Sequence, residues 1–229
     1  MCGRYTLAKT LEEVRDRFKV KDIRGTYSMR WNAAPSQFLP VIASSTVEAV
    51  SFFRWGLIPS WSKEISIAYH TINARIESIF EKPAFQYAIQ HQRCLVIADG
   101  YYEWKTIGKE KIPYYICLDN HELFSMAGIW DVWNSPKGEP IHSFSILTIP
   151  STSKIRDIHD RMPVILRKDQ EKNWISDIKI TQNQLDELVV SSQNQHLKAF
   201  TVSKKVNSVE TDSPDLILPV THKVQGSLF

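Results

Sequence analysis

The feature that most constrains the fold is a series of apolar and β-branched runs through the middle of the chain: FLPVIAS, EAVSFFRW, RCLVIAD, PYYICLD and FSILTI. Each reads as a strand, and GKEK and NSPKGEP supply turn residues between them. Thr10 followed three residues later by Glu13 has the form of a capping box ahead of LEEVRDRF, whose Val14 and Phe18 share a face. Further helical starts fall near Pro83 (PAFQYAIQ), Ser151 (STSKIRDI), Lys168 (KDQEKNWI) and Thr181 (TQNQLDELVV). Strands grouped centrally, with helices between and after them, predict an α+β fold and not a regularly alternating parallel sheet.

At 229 residues the chain suits one domain with a sizeable core. The expected domain covers residues 1–205. After about Ser203 the sequence turns polar and proline-interrupted, so 206–229 is expected to cross the domain surface and end as a tail. A net charge of +3 helps with a polyanionic partner without establishing one. The opening MCGRYTLAKTLEEV carries no apolar signal core, and no stretch approaches the roughly 20 apolar residues of a membrane span, so a cytoplasmic protein is expected, nucleoid-associated if bacterial; a monomer is expected separately. Cys94 and Cys117 lie in strand-like runs and read as small buried hydrophobes. The three cysteines form no close metal-ligand pair, and no metal or organic cofactor is expected.

Cys2 differs from the others by position. Initiator methionines are removed when the next residue is small, which would leave Cys2 first. A terminal cysteine holds an amine and a thiol on adjacent carbons. Such an aminothiol condenses with an aldehyde to an imine, and the thiol then closes a five-membered thiazolidine. The terminal amine has an ordinary pKa of about 7.7 to 8.0, so part of it is neutral and nucleophilic near neutral pH. On Met-Cys alone, the ordinary reading of Cys2 is the second residue of a frayed terminus, and other residues must single it out.

The segments MCGRYTL, WNAAPSQ, WGLIPSW, INARIES, ADGYYEWK and IHDRMPVIL follow one another between Cys2 and Leu166. In this order they resemble the SOS-response-associated peptidase family, whose members cross-link to abasic sites in single-stranded DNA. The later VSKKVNS also fits. The resemblance implies a mixed, mainly antiparallel, barrel-like sheet flanked by helices and a basic DNA groove. It places the nucleophile at Cys2 and the accompanying catalytic residues at Asn73, Glu103 and His159.

Each of these residues has a chemistry of its own. Glu103, among the aromatics of GYYEW, would have its pKa raised by burial and could then protonate the sugar ring oxygen or the leaving hydroxyl. A strand carboxylate paired with a lysine is the other reading. His159 titrates in the useful range for a proton shuttle, or it orients the HDR turn. Asn73 can hold the Cys2 amine or a sugar hydroxyl, or simply shape a turn. Arg4, Arg75 and Arg161 sit beside these residues and are candidate phosphate ligands. Trp55 and Trp61 flank GLIPS, where exposed indoles would stack on bases; an aromatic pair is also a common core feature. Asn32 and Pro35 are read as shaping the strand path.

The expected function is a sensor of abasic sites in single-stranded DNA that forms a thiazolidine cross-link through Cys2, a lyase or peptidase by class, with removal of Met1 possible as an autocatalytic step. An amidohydrolase using the same cysteine, and a noncovalent single-strand binder, stay open. Gln225, Leu228 and Phe229 end the chain as QGSLF, which resembles the short peptide by which bacterial repair proteins dock on the sliding clamp.

Overall fold

The computed structural model describes residues 2–220. Strands β1 (Arg4–Leu7), β2 (Asp22–Arg24), β3 (Arg30–Ala33), β4 (Phe38–Ala43), β5 (Ala49–Trp55), β6 (Asn73–Arg75) and β7 (Arg93–Ala98) occupy the first part of the chain. They are followed by β8 (Gly100–Ile107), β9 (Glu110–Leu118), β10 (Phe124–Asn134), β11 (Pro140–Pro150), β12 (Arg161–Pro163), β13 (Ile165–Leu166) and β14 (Leu197–Thr201). The helices are α1 (Leu11–Phe18), α2 (Gln86–His91), α3 (Ser153–Arg156), α4 (Lys168–Trp174) and α5 (Gln182–Gln193).

Five strands close on one another. β11 pairs with β10, β10 with β7, β7 with β4 and β4 with β5, all antiparallel. β5 then returns to β11 through a short parallel contact, Ser143 opposite Arg54 and Phe144 opposite Trp55. Closure leaves these strands no open edge, and it explains why RCLVIA on β7 is buried at every position. α4 packs outside β7, with Trp174 Nε1 donating to the Cys94 carbonyl at 2.9 Å. A second, antiparallel sheet runs in the order β14-β9-β8-β1-β3, and its Tyr5, Tyr101 and Ile116 join the core of the barrel. The fold is therefore a single α+β domain built around a mixed, mainly antiparallel barrel.

The expected strands are all present; FSILTI lies within the longer strand β11, and PYYICL forms the second part of β9, which ends before Asp119. The GKEK and NSPKGEP turns join β8 to β9 and β10 to β11, and Gly108 and Gly138 there take φ of 60° and 81°. Capping boxes form at Thr10 with Glu13 and at Thr181 with Gln184. α2 begins only at Gln86, because Lys82 to Phe85 form a turn first, and the segment after Ser151 makes a single helical turn.

The segment after Ser203 is tied in more deeply than its polarity suggests, because Val206 and Leu216 are fully buried. Asp212 accepts from the backbone N–H of Trp31 at 2.6 Å and of Asn32 at 3.0 Å, so a carboxylate satisfies the edge of β3 where another strand would otherwise pair. Asn32 Nδ2 donates to the carbonyls of Ser208 and Thr211 at 2.8 and 2.7 Å. Gln225, Leu228 and Phe229 lie outside the described residues, as does Met1. Among the described residues no helix is long and apolar enough to cross a membrane, and no group of three or more His, Cys, Asp or Glu could hold a metal ion.

Candidate functional site

Cys2 lies just ahead of β1, on the side where β8 runs alongside. The register Arg4 opposite Tyr102 puts Glu103 next to the start of β1. On the other side β6 pairs in parallel with β11, Asn73 opposite Ile146, which brings Asn73 to the same place. Asn73 Nδ2 donates to the Cys2 carbonyl at 2.8 Å. Asn73 Oδ1 is buried and accepts from none of the described residues. Cys2 is itself fully buried. Burial, reinforced by the Glu103 charge, pushes its thiol well above the usual thiol range.

Glu103 is 2% exposed. Burial pushes its carboxyl up to about 7, and the negative charge of Asp160 acts in the same direction. It is therefore divided between acid and base forms near neutral pH. His159 Nε2 lies 3.9 Å from Glu103 Oε2. Burial lowers the His159 pKa below its ordinary value. The Arg161 N–H donates to Nδ1 at 3.0 Å, a contact that favours the neutral ring with its proton on Nε2, the nitrogen facing Glu103. The exposed Asp160 carboxylate lies 2.9 Å from the same Nδ1 and takes a hydrogen bond from it whenever that nitrogen carries a proton, in the Nδ1–H tautomer or the imidazolium.

The four catalytic candidates thus come together: Cys2, Asn73, Glu103 and His159. The DNA-contact candidates divide. Arg75 is exposed at the end of β6 and lines, with Asn73 and Trp61, a groove of about 850 Å³. Trp61 is 59% exposed. Trp55 is a correction: it is fully buried, its indole N–H bonded to the Ile72 carbonyl at 2.9 Å and its ring against Tyr5 and Phe144. It closes strand β5, which is buried at every position but Phe52, so its indole belongs to the core and has no face for a base. Arg161 is 9% exposed. Its guanidinium forks onto Glu77 at 2.5 and 2.9 Å and reaches the Thr148 carbonyl at 2.6 Å, so in this structure it fastens β12 to its surroundings. Arg4 is half-buried and bonds Asn32 Oδ1 and the Val206 carbonyl, both at 2.8 Å. Cys94 and Cys117 are buried within the strands, as their surroundings predict.

Sequence reasoning missed Glu77, the partner of Arg161, and the side chains that anchor the loop bearing Trp61. No local signal marks either, since the contacts join residues more than 70 positions apart.

Fold and site together define a barrel protein with a buried cysteine ahead of β1, beside an amide and a carboxyl poised near neutrality. The family model for SOS response associated peptidase (SRAP) matches residues 1–209, and the chain belongs to that family. Abasic site processing protein YoqW of Bacillus subtilis is 38% identical over 221 residues, covering 95% of this chain and 99% of that protein. Abasic site processing protein HMCES of Gallus gallus is 30% identical over 229 residues, covering 86% and 68% respectively. A crystal structure of a protein from Bacteroides thetaiotaomicron superimposes with a TM-score of 0.84 at 28% identity, covering 96% of this chain and all of that one.

Proposed function

We propose that this protein processes abasic sites in DNA, and that it does so by covalent capture in single strands through Cys2 once Met1 is removed. The observation that carries the reading is the juxtaposition of Cys2 with Asn73 and with a Glu103 carboxyl held near pKa 7. The relatives' names support the substrate.

Loss of a base leaves a deoxyribose that equilibrates between a closed ring and an open aldehyde. Protonated Glu103 donates to the ring oxygen as the C1–O bond breaks, and the anomeric hydroxyl gives its proton to water as it becomes the aldehyde oxygen. The Cys2 amine attacks the aldehyde carbon; the resulting hydroxyl leaves as water, its proton supplied by Glu103, and an imine remains. With the thiol held neutral by burial, the amine is the first nucleophile. The sulfur then bonds to the imine carbon while the thiol proton ends on nitrogen, giving the thiazolidine with one water released overall. Neutral His159, with Nε2–H toward Glu103, passes protons between that carboxyl and solvent. Asn73 holds the Cys2 carbonyl, and its Oδ1 accepts from the Cys2 amine or a sugar hydroxyl. Arg75, with half-exposed Arg4, tracks the phosphates, and Trp61 stacks on a base.

The test is incubation with a single-stranded oligonucleotide carrying one abasic site, followed by a denaturing gel. A shifted band that needs both the abasic site and Cys2 supports capture. No band from the wild-type protein, or one that persists in Cys2→Ala, refutes it.

A further inference from the structure

Trp61 stands on a ridge. On one side is the groove of about 850 Å³ that reaches Asn73, and on the other a second groove of about 450 Å³ lined by Lys63, Ser66 and His70. Its indole is 59% exposed, yet the backbone around it is held at alternate residues. Ile58 N–H donates to Ser143 Oγ at 2.7 Å, and Ser60 N–H to Asp131 Oδ2 at 2.8 Å. Trp133 Nε1 donates to the Ser62 carbonyl at 2.6 Å, and Ser62 N–H closes a turn on the Pro59 carbonyl at 2.9 Å. The anchors share a face of the barrel: Asp131 and Trp133 lie two apart on β10, and Ser143 sits directly opposite Asp131 on β11. Asp131 and Trp133 are both buried, at 7% and 5% exposure.

We infer that Asp131 and Trp133 are positioning residues for nucleic-acid binding: from either side of Trp61 they clamp the loop so that its indole is a preformed stacking platform for a base of the single strand entering the groove. A large aromatic left in solvent gains nothing from its own burial, while two buried polar side chains fix the backbone on each side of it. A base landing on a fixed ring avoids the entropy of ordering a loop, which is what preorganisation contributes to affinity. Arg75 and Lys82 line the same groove against one carboxylate, Glu81, a small basic excess that suits a polyanionic strand. The inference rests on the function proposed above and adds how its substrate strand is gripped.

The experiment measures three quantities on the full chain: affinity for an undamaged single-stranded oligonucleotide, cross-linking rate against abasic-strand concentration, and reaction of Cys2 with formaldehyde followed by intact mass. Asp131→Ala should weaken oligonucleotide binding and raise the half-saturating abasic-strand concentration about tenfold, the scale of one base–aromatic stack, while the saturated rate and the formaldehyde reaction hold. Asp131→Asn, which keeps an oxygen acceptor for the Ser60 N–H, should restore binding, and Trp133→Phe should behave like Asp131→Ala. Adding Asp131→Ala to Trp61→Ala should cause no further loss. Unchanged binding in Asp131→Ala and Trp133→Phe, additive loss with Trp61→Ala, or parallel loss of the formaldehyde reaction would each overturn the clamp. A wild-type protein that binds the undamaged strand but forms no adduct would sink the capture reading and leave the binding comparison standing.

Discussion

The Asn73 side chain fastens the Cys2 backbone, its Nδ2 donating to the Cys2 carbonyl at 2.8 Å. The residue beside a chain terminus is ordinarily free to fray; here its carbonyl is held, which steadies the backbone that carries the proposed nucleophilic amine. Asn73→Ala should therefore slow adduct formation at least tenfold. Loss of one buried hydrogen bond should also lower stability by about 1 to 2 kcal/mol. Single-turnover cross-linking and thermal melting read the two effects separately.

Glu103 sets the pH dependence. Its carboxyl is held up at about 7, and ring opening needs the protonated form, so activity through this group falls as pH rises past about 7. Neutralisation of the terminal amine acts in the opposite sense at slightly higher pH. The rate profile should be bell-shaped near neutrality, and Glu103→Gln should lose the descending limb along with most of the rate. A descending limb that survives the substitution would assign that proton to another group.

The same carboxyl should cost stability. A carboxyl whose folded pKa is raised favours the folded state below its unfolded value, near 4.5, and that advantage is lost as pH rises through about 7. Above pH 7 the charged, buried form opposes folding by up to about 3 kcal/mol. Glu103→Gln should melt higher than wild type at pH 8, with the gap narrowing toward pH 4. Equal melting temperatures at pH 8 would show that the carboxylate is compensated in the folded protein.

Gly100 leaves no room for a methyl group. A Cβ there would fall 2.2 Å from the Tyr115 ring and hydroxyl, and that hydroxyl lies 3.0 Å from Thr6 Oγ1, which donates to Asp99 at 2.5 Å. Gly100→Ala should disrupt this buried network between β1, β8 and β9 and destabilise the domain by about 2 to 4 kcal/mol, read from denaturant unfolding.

Much of this was legible in the chain. Runs such as RCLVIAD and FSILTI are strands because β-branched residues suit a pleated core, and Thr10 with Glu13 caps α1 because both act within one turn. Position made Cys2 a candidate, and the order of the surrounding segments singled it out together with Asn73, Glu103 and His159. Long-range pairing was not legible. Flanking a loop, Trp55 reads either as an exposed stacking indole or as core, and the pairing decides for core: it ends the barrel strand that meets Phe144 of β11. Arg161 was expected to meet phosphate, but Glu77, 84 residues away, takes its guanidinium. The polar segment after Ser203 hid its role because Asp212 and Asn32 bind backbone groups, which leaves no apolar pattern to read.

The most direct test of covalent capture is tandem mass spectrometry of the adduct after digestion of protein and DNA. The account predicts a first peptide that begins at Cys2, lacks Met1 and carries the sugar remnant on Cys2 without prior borohydride reduction. An adduct on a lysine, one seen only after reduction, or one on a chain that retains Met1 would contradict it.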